Sequence, residues 1–302
     1  MVSLILIIAT SLFFTGIIIR TKSIASGRKG PGIFQPMKDI VKLFKKGSVY
    51  SRTTSIIFQI APSFYFASIL MAILCVPLGN YLGVISFQGD FILFAYLLAF
   101  GKFFMIISAL DTGSSFEGMG ASRESLFSML AEPAFFILMG SFALLTGQTS
   151  FHGIFSTLHY GSHISYMLGI LATFVFVIIA MIENSRMPID DPKTHLELTM
   201  IHEVMILDNS GFDLGLILHA TNLKFAMYGA IISNFFIGDL SLMYTIPIFF
   251  VVQISFAIAV GIFESFMARF RMSHNPQFIF ILTSVSLLIF FGVLLLLERF
   301  AK

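Results

Sequence analysis

The chain has 302 residues with a formal net charge of +2, and it is 57% hydrophobic and only 11% charged. A mean hydropathy of +0.93 and repeated apolar runs of about 20 residues exclude a water-soluble globular domain, because this composition cannot cover a surface that faces water. The runs are continuous, whereas the strands of a membrane β-barrel alternate with period two. The sequence therefore predicts an all-α, polytopic membrane protein, with residues 1–302 forming one integral membrane domain.

Eight membrane helices are predicted from the apolar runs, at about 20 residues for each span. The first run has neither a basic region before it nor a small-residue cleavage site after it, so we interpret it as a retained helix and not as a signal peptide. The predicted spans cover residues 2–19, 55–78, 91–110, 133–147, 164–182, 214–237, 242–264 and 278–297.

Lys and Arg are concentrated in the loops on one side of these spans. Nine of the 18 lie between Arg20 and Arg52, where Asp39 is the only acid, and loops on the same side add five more. Because basic loops stay in the cytoplasm, we expect both termini to face outward from the cytoplasmic (inner) membrane. The predicted cytoplasmic loops cover residues 20–54, 111–132, 183–213 and 265–277.

The first cytoplasmic loop contains a short basic amphipathic pattern. Met37, Ile40, Val41 and Phe44 recur at spacings of three and four, with lysines between them, which predicts a helix. Two compatible roles remain open for it: an anchor on anionic lipid, or a docking surface for a protein partner.

Four ionisable residues fall inside or at the ends of predicted spans. Lys102 and Lys224 lie near mid-span, where a charge costs a few kcal/mol on insertion scales. We therefore interpret both as ion-paired or functional interior residues. Glu132 and Glu264 lie at span ends, where acids are often only interfacial.

The most charge-dense stretch runs from Glu183 to Gly211, between two long apolar runs. It predicts a turn with Asp191 as N-cap and Pro192 at the first helical position, followed by a helix over residues 194–207. On this helix Glu197 and Asp208 share one face. The stretch is predicted to form a polar helix at the inner mouth of the membrane domain.

Common catalytic and metal-binding motifs are absent from the sequence. His202-Glu203 resembles the start of a zinc-protease motif, but the second histidine position is Ile206, so the two-ligand face is missing. A single cysteine, Cys75, excludes an intrachain disulfide and any Cys-rich cluster held by this chain alone. We predict no metal, no catalytic residue and no nucleic-acid binding in this chain.

Two loops resemble those of the complex I membrane subunit that builds the quinone chamber. Further motifs are similar to the homologous subunit of energy-converting membrane-bound NiFe hydrogenases of the formate hydrogenlyase type. The complex I-like residues are Gly30-Pro31, Gln35-Pro36, Asp39, Lys42-Leu43, Lys45, Glu183 to Asp190, Pro192, Glu197-Leu198 and Ser210-Gly211. The hydrogenase-like residues are Gly118 to Glu124, Ala131-Glu132-Pro133, Thr194 to Thr199, Glu264-Ser265 and Met267-Ala268-Arg269.

The resemblance implies a subunit that anchors a cytoplasmic electron-transfer arm and couples redox chemistry to ion movement, with the proton as the expected ion. It implies hydrogenase large and small subunits and an iron-sulfur subunit as cytoplasmic partners, and antiporter-like subunits beside it in the bilayer. The NiFe centre and the iron-sulfur clusters are expected in those partners, with no cofactor in this chain.

Two groups of site residues follow from the position of the charges and from the resemblance. Candidates for an ion path are Lys102, Glu132, Glu197, Glu203, Asp208, Lys224 and Glu264. Candidates for partner docking are Arg28, Gln35, Asp39, Lys42, Arg123, Glu124, Arg186, Asp190, Arg269 and Arg271.

Two other functions stay open. The chain could be the quinone-chamber subunit of an NADH:quinone oxidoreductase, although the stretch from Gly118 to Glu124 departs from that type. It could also be a solitary secondary transporter, but the sequence contains no inverted internal repeat of the kind that such transporters carry.

Overall fold

The computed structural model describes residues 1–159, 163–190, 200–238 and 240–300. Within these ranges the chain forms twelve helices. They are α1 (Val2–Ser11), α2 (Phe14–Ala25), α3 (Gln35–Phe44), α4 (Ile56–Cys75), α5 (Asp90–Asp111), α6 (Ser115–Thr146), α7 (Phe151–His159), α8 (His163–Glu183), α9 (His202–Met205), α10 (Gly211–Asn234), α11 (Leu242–Phe266) and α12 (Asn275–Phe300).

Seven segments of the described chain are long and apolar enough to cross a membrane. They are α1 together with α2, then α4, α5, α6, α10, α11 and α12. The remaining predicted span, at 164–182, falls on α8, whose stretch Met167–Glu183 is apolar but shorter than the other seven spans. The prediction of an all-α, multi-pass membrane protein is therefore confirmed.

Helix α10 is the centre of the bundle. It packs on α1, α2, α3, α4, α8 and α11, and 83% of its apolar window is buried, against 28–44% for the other six spans. Around it, α5 packs on α4 and α6, and α12 packs on α6 and α8. Polar side chains on α10 consequently point into protein and not into lipid.

The first predicted span is broken in two. The hydroxyl of Thr10 donates to the carbonyl of Ile7 at 3.0 Å, and that of Ser11 donates to the carbonyl of Ile8 at 2.7 Å. Such back-bonding by Ser and Thr bends helices. Helix α1 ends at Ser11 and α2 begins at Phe14, so the expectation of one continuous helix over 2–19 is corrected.

Helix α6 is much longer than predicted, since most of the expected loop at 111–132 is helical. It has 32 residues and runs through Pro133 to a left-handed C-cap at Gly147, whose φ is 67°. At 1.5 Å per residue it spans about 48 Å, more than the ~30 Å of a bilayer core. Its N-terminal third therefore extends beyond the membrane core, on the side that the sequence predicts to be cytoplasmic.

Two other predicted elements had different outcomes. The short amphipathic helix of the first loop is confirmed as α3, with Pro36 in its first turn. The helix predicted over 194–207 is wrong in its described part: Met200 and Ile201 are not helical, and α9 has only four residues. Residues 191–199, which include Glu197 and the predicted cap Asp191, lie outside the described ranges.

Candidate functional site

Four ionisable side chains from four helices meet inside the bundle. Lys102 Nζ of α5 lies 2.9 Å from Glu183 Oε2 of α8 and 3.2 Å from Glu124 Oε1 of α6. Lys224 Nζ of α10 lies 3.4 Å from the same Glu183 oxygen. We call Lys102, Glu124, Glu183 and Lys224 the buried charge cluster.

The cluster has no formal net charge, and its side chains are almost completely buried. The side chains of Lys102 and Glu183 are each 10% exposed, that of Glu124 is 6% exposed, and that of Lys224 is 3% exposed. Buried charges persist when they are paired and hydrogen-bonded. Two ammonium groups facing two carboxylates satisfy that condition, and Glu183 joins both lysines.

Neutral groups complete the coordination of the two lysines. Lys102 Nζ donates to Ser128 Oγ at 2.7 Å. Lys224 Nζ donates to the main-chain carbonyl of Glu183 and lies 5.8 Å from the centroid of the Tyr65 ring, within the range of a cation–π contact. The positions of both ammonium groups are thus fixed by several contacts.

A narrow cavity of about 40 Å³ adjoins the cluster on its membrane side, and we call it the first cavity. Lys102, Glu183, Glu132 and Tyr228 contribute its polar lining. Glu132 is exposed on the outside of α6, about 21 Å from the outer end of that helix at 1.5 Å per residue. Glu132 thus lies where the first cavity reaches the side of the bundle, at membrane depth.

A second, larger cavity of about 340 Å³ lies between α2, α3, α10 and the chain around α9. Its polar lining includes Arg186, His202, Glu203 and Asn222. Two buried atoms near it, Asn184 Oδ1 and His202 Nδ1, have no hydrogen-bond partner among the described residues. Unpartnered buried polar atoms are usually satisfied by water, so the second cavity is suited to hold water.

Residues 200–208, here called the inner segment, are held mainly through their backbone. Arg123 Nη1 donates to the Met200 carbonyl at 2.9 Å, and Glu117 Oε1 accepts from the Asp208 amide at 2.8 Å. A Cβ on Gly120 would lie 2.7 Å from the Ile201 oxygen, so only glycine permits this approach of α6.

Asp190 holds the start of the same segment. Its Oδ2 accepts from the amides of Ile201 and His202 at 3.3 and 3.1 Å, and its Oδ1 lies 2.9 Å from Arg269 Nη2. These bonds explain why helix α9 begins only at His202. Burial lowers the pKa of His202 from its usual 6.5 to about 4, and the nearby Glu124 opposes this shift.

A further buried carboxylate joins two cations. Glu264 of α11 lies 3.4 Å from Arg186 Nη1 and 3.6 Å from Lys22 Nζ. Arg186 also lies 5.3 Å from the centroid of the Phe225 ring. Glu264 thus ties α11 to α2 and to the chain that follows α8.

The predicted ion-path residues that the structure describes fall into four places. Lys102 and Lys224 are brought together in the buried charge cluster, with Glu132 beside them. Glu203 lines the second cavity, while Glu264 forms its separate ion pairs. Asp208 is exposed and away from the cluster, and Glu197 lies outside the described ranges.

The side chains of several predicted docking residues are buried against other parts of this chain. Glu124, Arg186 and Asp190 are only 5%, 8% and 1% exposed, and their contacts are with the chain's own groups. Arg123 and Arg269 are partly buried in the bonds described above, and Gln35 bonds to Asp39 at 2.8 Å beside the second cavity. Of the predicted set, Arg28, Asp39, Lys42 and Arg271 are exposed.

Sequence reasoning missed two parts of the site. Glu183 is absent from both predicted groups of site residues, although its position at the end of an apolar run could have marked it as a partner for a mid-span lysine. Glu117 and Gly120 carry no sequence signal for their role, because that role is to contact the backbone of a distant segment. Among the described residues, no group of His, Cys, Asp and Glu could hold a metal ion.

Comparison with known proteins gives consistent matches. The sequence model of the family described as NADH dehydrogenase matches residues 1–294. Hydrogenase-4 component C of Escherichia coli (strain K12) is 34% identical over 222 residues, covering 74% of this chain and 69% of that protein. Formate hydrogenlyase subunit 4 of the same organism is 27% identical over 288 residues, 92% of each chain.

A solved structure shares the fold. One chain of the membrane-bound sulfane sulfur reductase, described as an archaeal respiratory membrane complex, superposes with a TM-score of 0.82 at 21% identity, over 96% of each chain.

Proposed function

Because the chain belongs to the NADH dehydrogenase family, we infer that it is a membrane subunit of a complex I-like hydrogenase, and we propose that it couples electron transfer to proton movement. The first part follows from its similarity to hydrogenase-4 component C and formate hydrogenlyase subunit 4 over most of its length. The second part rests on the buried charges, as argued below.

The buried charge cluster is the observation that carries the coupling proposal. Ionisable groups inside a membrane domain are expensive and therefore usually functional. Glu183 lies between two lysines, so the protonation of one group depends on the charge of the others. A change of charge in a redox module above the site would shift a proton among these groups.

Polar groups connect the cluster to both sides. On the cytoplasmic side, the second cavity brings His202 and Glu203 close to Ser185, whose hydroxyl lies 3.5 Å from Glu124 Oε2. On the membrane side, the first cavity leads from Lys102 and Glu183 to Glu132. We propose that protons enter through the second cavity and leave past Glu132.

The exposure of Glu132 supports a lateral neighbour in the membrane. A carboxylate that faces hydrocarbon is unfavourable unless a polar group covers it. We propose that an antiporter-like membrane subunit packs against this side of α6 and receives the proton there.

The cytoplasmic face is proposed to dock the electron-transfer arm. Arg28 and Arg271 are exposed there, as are Leu207 and Asp208 at the end of the inner segment. We propose the hydrogenase large and small subunits and an iron-sulfur subunit as partners, with the NiFe centre and the clusters bound by them.

Gentle solubilisation of the tagged chain, followed by identification of the co-purifying proteins, tests this assignment. We expect hydrogenase subunits and antiporter-like membrane proteins. NADH-oxidising subunits in their place would favour the quinone-chamber alternative, and isolation without any partner would favour a solitary transporter.

A further inference from the structure

The chain that follows α2 folds back along that helix. Arg20 Nη1 donates to the Gly30 carbonyl at 2.8 Å, and a Cβ on Gly16 would lie 1.6 Å from the Ile33 carbonyl oxygen. Gly16 precedes the end of α2 at Ala25 by nine residues, or about 13 Å at 1.5 Å per residue. Ile33 therefore lies well below the cytoplasmic end of the bundle.

Helix α3 then rises back toward the cytoplasm beside α10. At its N-terminal end, Gln35 lines the second cavity together with Asn222. At its C-terminal end, the Phe44 ring lies 5.4 Å from the Phe212 ring, at the cytoplasmic end of α10. The ten residues between these positions on α10 correspond to about 15 Å of depth along that helix.

Apolar and basic side chains are separated along this rise. Ile33 and Phe34 at the deep end are 41% and 58% exposed. Higher up, Lys38, Lys42 and Lys45 are exposed on one face of α3 around Val41, which is 41% exposed. The opposite face holds Ile40 and Phe44 against α10.

The basic face retains most of its charge. Asp39 is the only acid between Arg20 and Arg52, and it is engaged by Gln35 at 2.8 Å and Lys42 at 3.6 Å. Lys38 and Lys45 make no ion pair within the described part of the chain. An exposed cationic stripe above exposed apolar side chains matches the headgroup and acyl layers of one membrane leaflet.

We propose that the exposed face of α3, formed by Lys38, Val41, Lys42 and Lys45, binds the phosphate headgroups of anionic phospholipids in the cytoplasmic leaflet. Ile33 and Phe34 contact the acyl chains of the same lipids. Lys42, predicted from the sequence for partner docking, belongs to this lipid surface. The inference does not rest on the proposed function, because it requires only that the chain be inserted in a bilayer.

The chain contains no tryptophan, so Phe34→Trp introduces a single fluorescent reporter at the deep end. The full chain with this substitution is reconstituted in phosphatidylcholine vesicles that contain a small fraction of either brominated phosphatidylglycerol or brominated phosphatidylcholine. We expect several-fold stronger quenching by the phosphatidylglycerol, and we expect Lys38→Gln with Lys45→Gln to remove most of that preference.

The matched control is Arg28→Gln with Lys29→Gln. It removes the same charge from exposed positions of the same loop, and it should leave the preference nearly intact. Equal quenching by the two lipids in the unsubstituted background, or an equal loss with the control pair, would overturn the proposal.

A second measurement covers the case in which Phe34→Trp fails to fold. The amount of phosphatidylglycerol retained by the purified, otherwise unsubstituted chain should fall severalfold on Lys38→Gln with Lys45→Gln. Unchanged retention would contradict the proposal. In the assembled complex, a reporter that neither lipid quenches would show that another membrane subunit covers this face, which would also overturn it.

Discussion

The buried charge cluster and the groups that hold the inner segment use charged side chains in different ways. The second set is here called the clamp, and it consists of Glu117, Gly120, Arg123 and Asp190. In the cluster, Lys102 and Lys224 meet the carboxylates of Glu124 and Glu183. In the clamp, charged side chains such as Arg123 and Asp190 bind mainly main-chain amides and carbonyls. Removing one charged side chain from the cluster leaves another buried charge uncompensated. Around the inner segment, a neutral side chain of similar shape can still make the hydrogen bond to the backbone. The comparison predicts which substitutions the protein tolerates.

The largest effect is expected for Glu183→Gln. It leaves two lysines facing one carboxylate, and breaking a buried ion pair costs about 3–5 kcal/mol. Adding Lys224→Met restores a neutral cluster, so it should recover most of the stability of the assembled complex without recovering redox-linked proton movement. Thermal unfolding and the ratio of protons moved to electrons transferred are the measurements. Normal proton movement in Glu183→Gln would remove the cluster from the proposed path.

A smaller loss of stability is expected for Gly120→Ala, which tests the clamp through its backbone contact. The added Cβ would meet the Ile201 oxygen at 2.7 Å and the Met205 nitrogen at 2.9 Å, and forced repacking of this kind costs about 1–3 kcal/mol. Gly118→Ala, two residues earlier on α6, is the control, because nothing lies within 4 Å of its Cβ. It should be neutral or slightly stabilising. Equal destabilisation of both variants in thermal unfolding would show that the close contact is unimportant.

Asp190→Asn should lower the free energy of unfolding still less, by about 1 kcal/mol. Asparagine keeps one oxygen that can accept from the Ile201 and His202 amides, but its NH2 group replaces the oxygen that accepts from Arg269, so the ion pair to that partly exposed side chain is lost. Asp190→Ala removes the acceptor as well and should be clearly worse by the same unfolding measurement. If Asn and Ala were equally harmful, the clamp would depend on charge as the cluster does.

The effect that is smallest at neutral pH, and that grows as the pH falls, links the two regions through His202. Its folded-state pKa is near 4, below the usual 6.5, so the unfolded chain binds more protons between these values. Stability should therefore fall as the pH drops from about 6.5 toward 4. In a pH series of unfolding temperatures, His202→Gln should show less of this decline than the unsubstituted chain. An identical decline would assign it to other groups.

The membrane spans could be predicted because about 20 consecutive apolar residues have few alternatives to a membrane helix. The N-terminal third of α6 could not, since Gly118, Gly120 and the serines around them are typical of loops. Gly120 is used there for close packing on the inner segment, and that partner lies some 80 residues away in sequence. The break after Ser11 was missed for a similar reason, because it depends on hydroxyl orientation within an otherwise apolar run.

Only part of the site could be predicted. A lysine in mid-span indicates that a counter-charge exists, so Lys102 and Lys224 were found, but it does not identify the counter-charge. Glu124 was assigned to a docking loop because α6 was expected to begin later, and the register of the longer helix turns it toward Lys102. The inner acids around Glu203 were predicted as a path entrance, and that role stays a prediction.

The order of the cluster residues along the chain also has a consequence for biosynthesis. Lys102 emerges from the ribosome first, and Glu124 follows on the next helix, so the α5–α6 hairpin can insert with an internal ion pair. Glu183 and then Lys224 arrive later, as a second pair of opposite charges on α8 and α10. The pair α5 and α6 and the pair α8 and α10 can thus each enter the bilayer with one lysine and one glutamate of the cluster, whose charges cancel. The contact between Lys102 and Glu183 forms only when the two pairs of helices assemble.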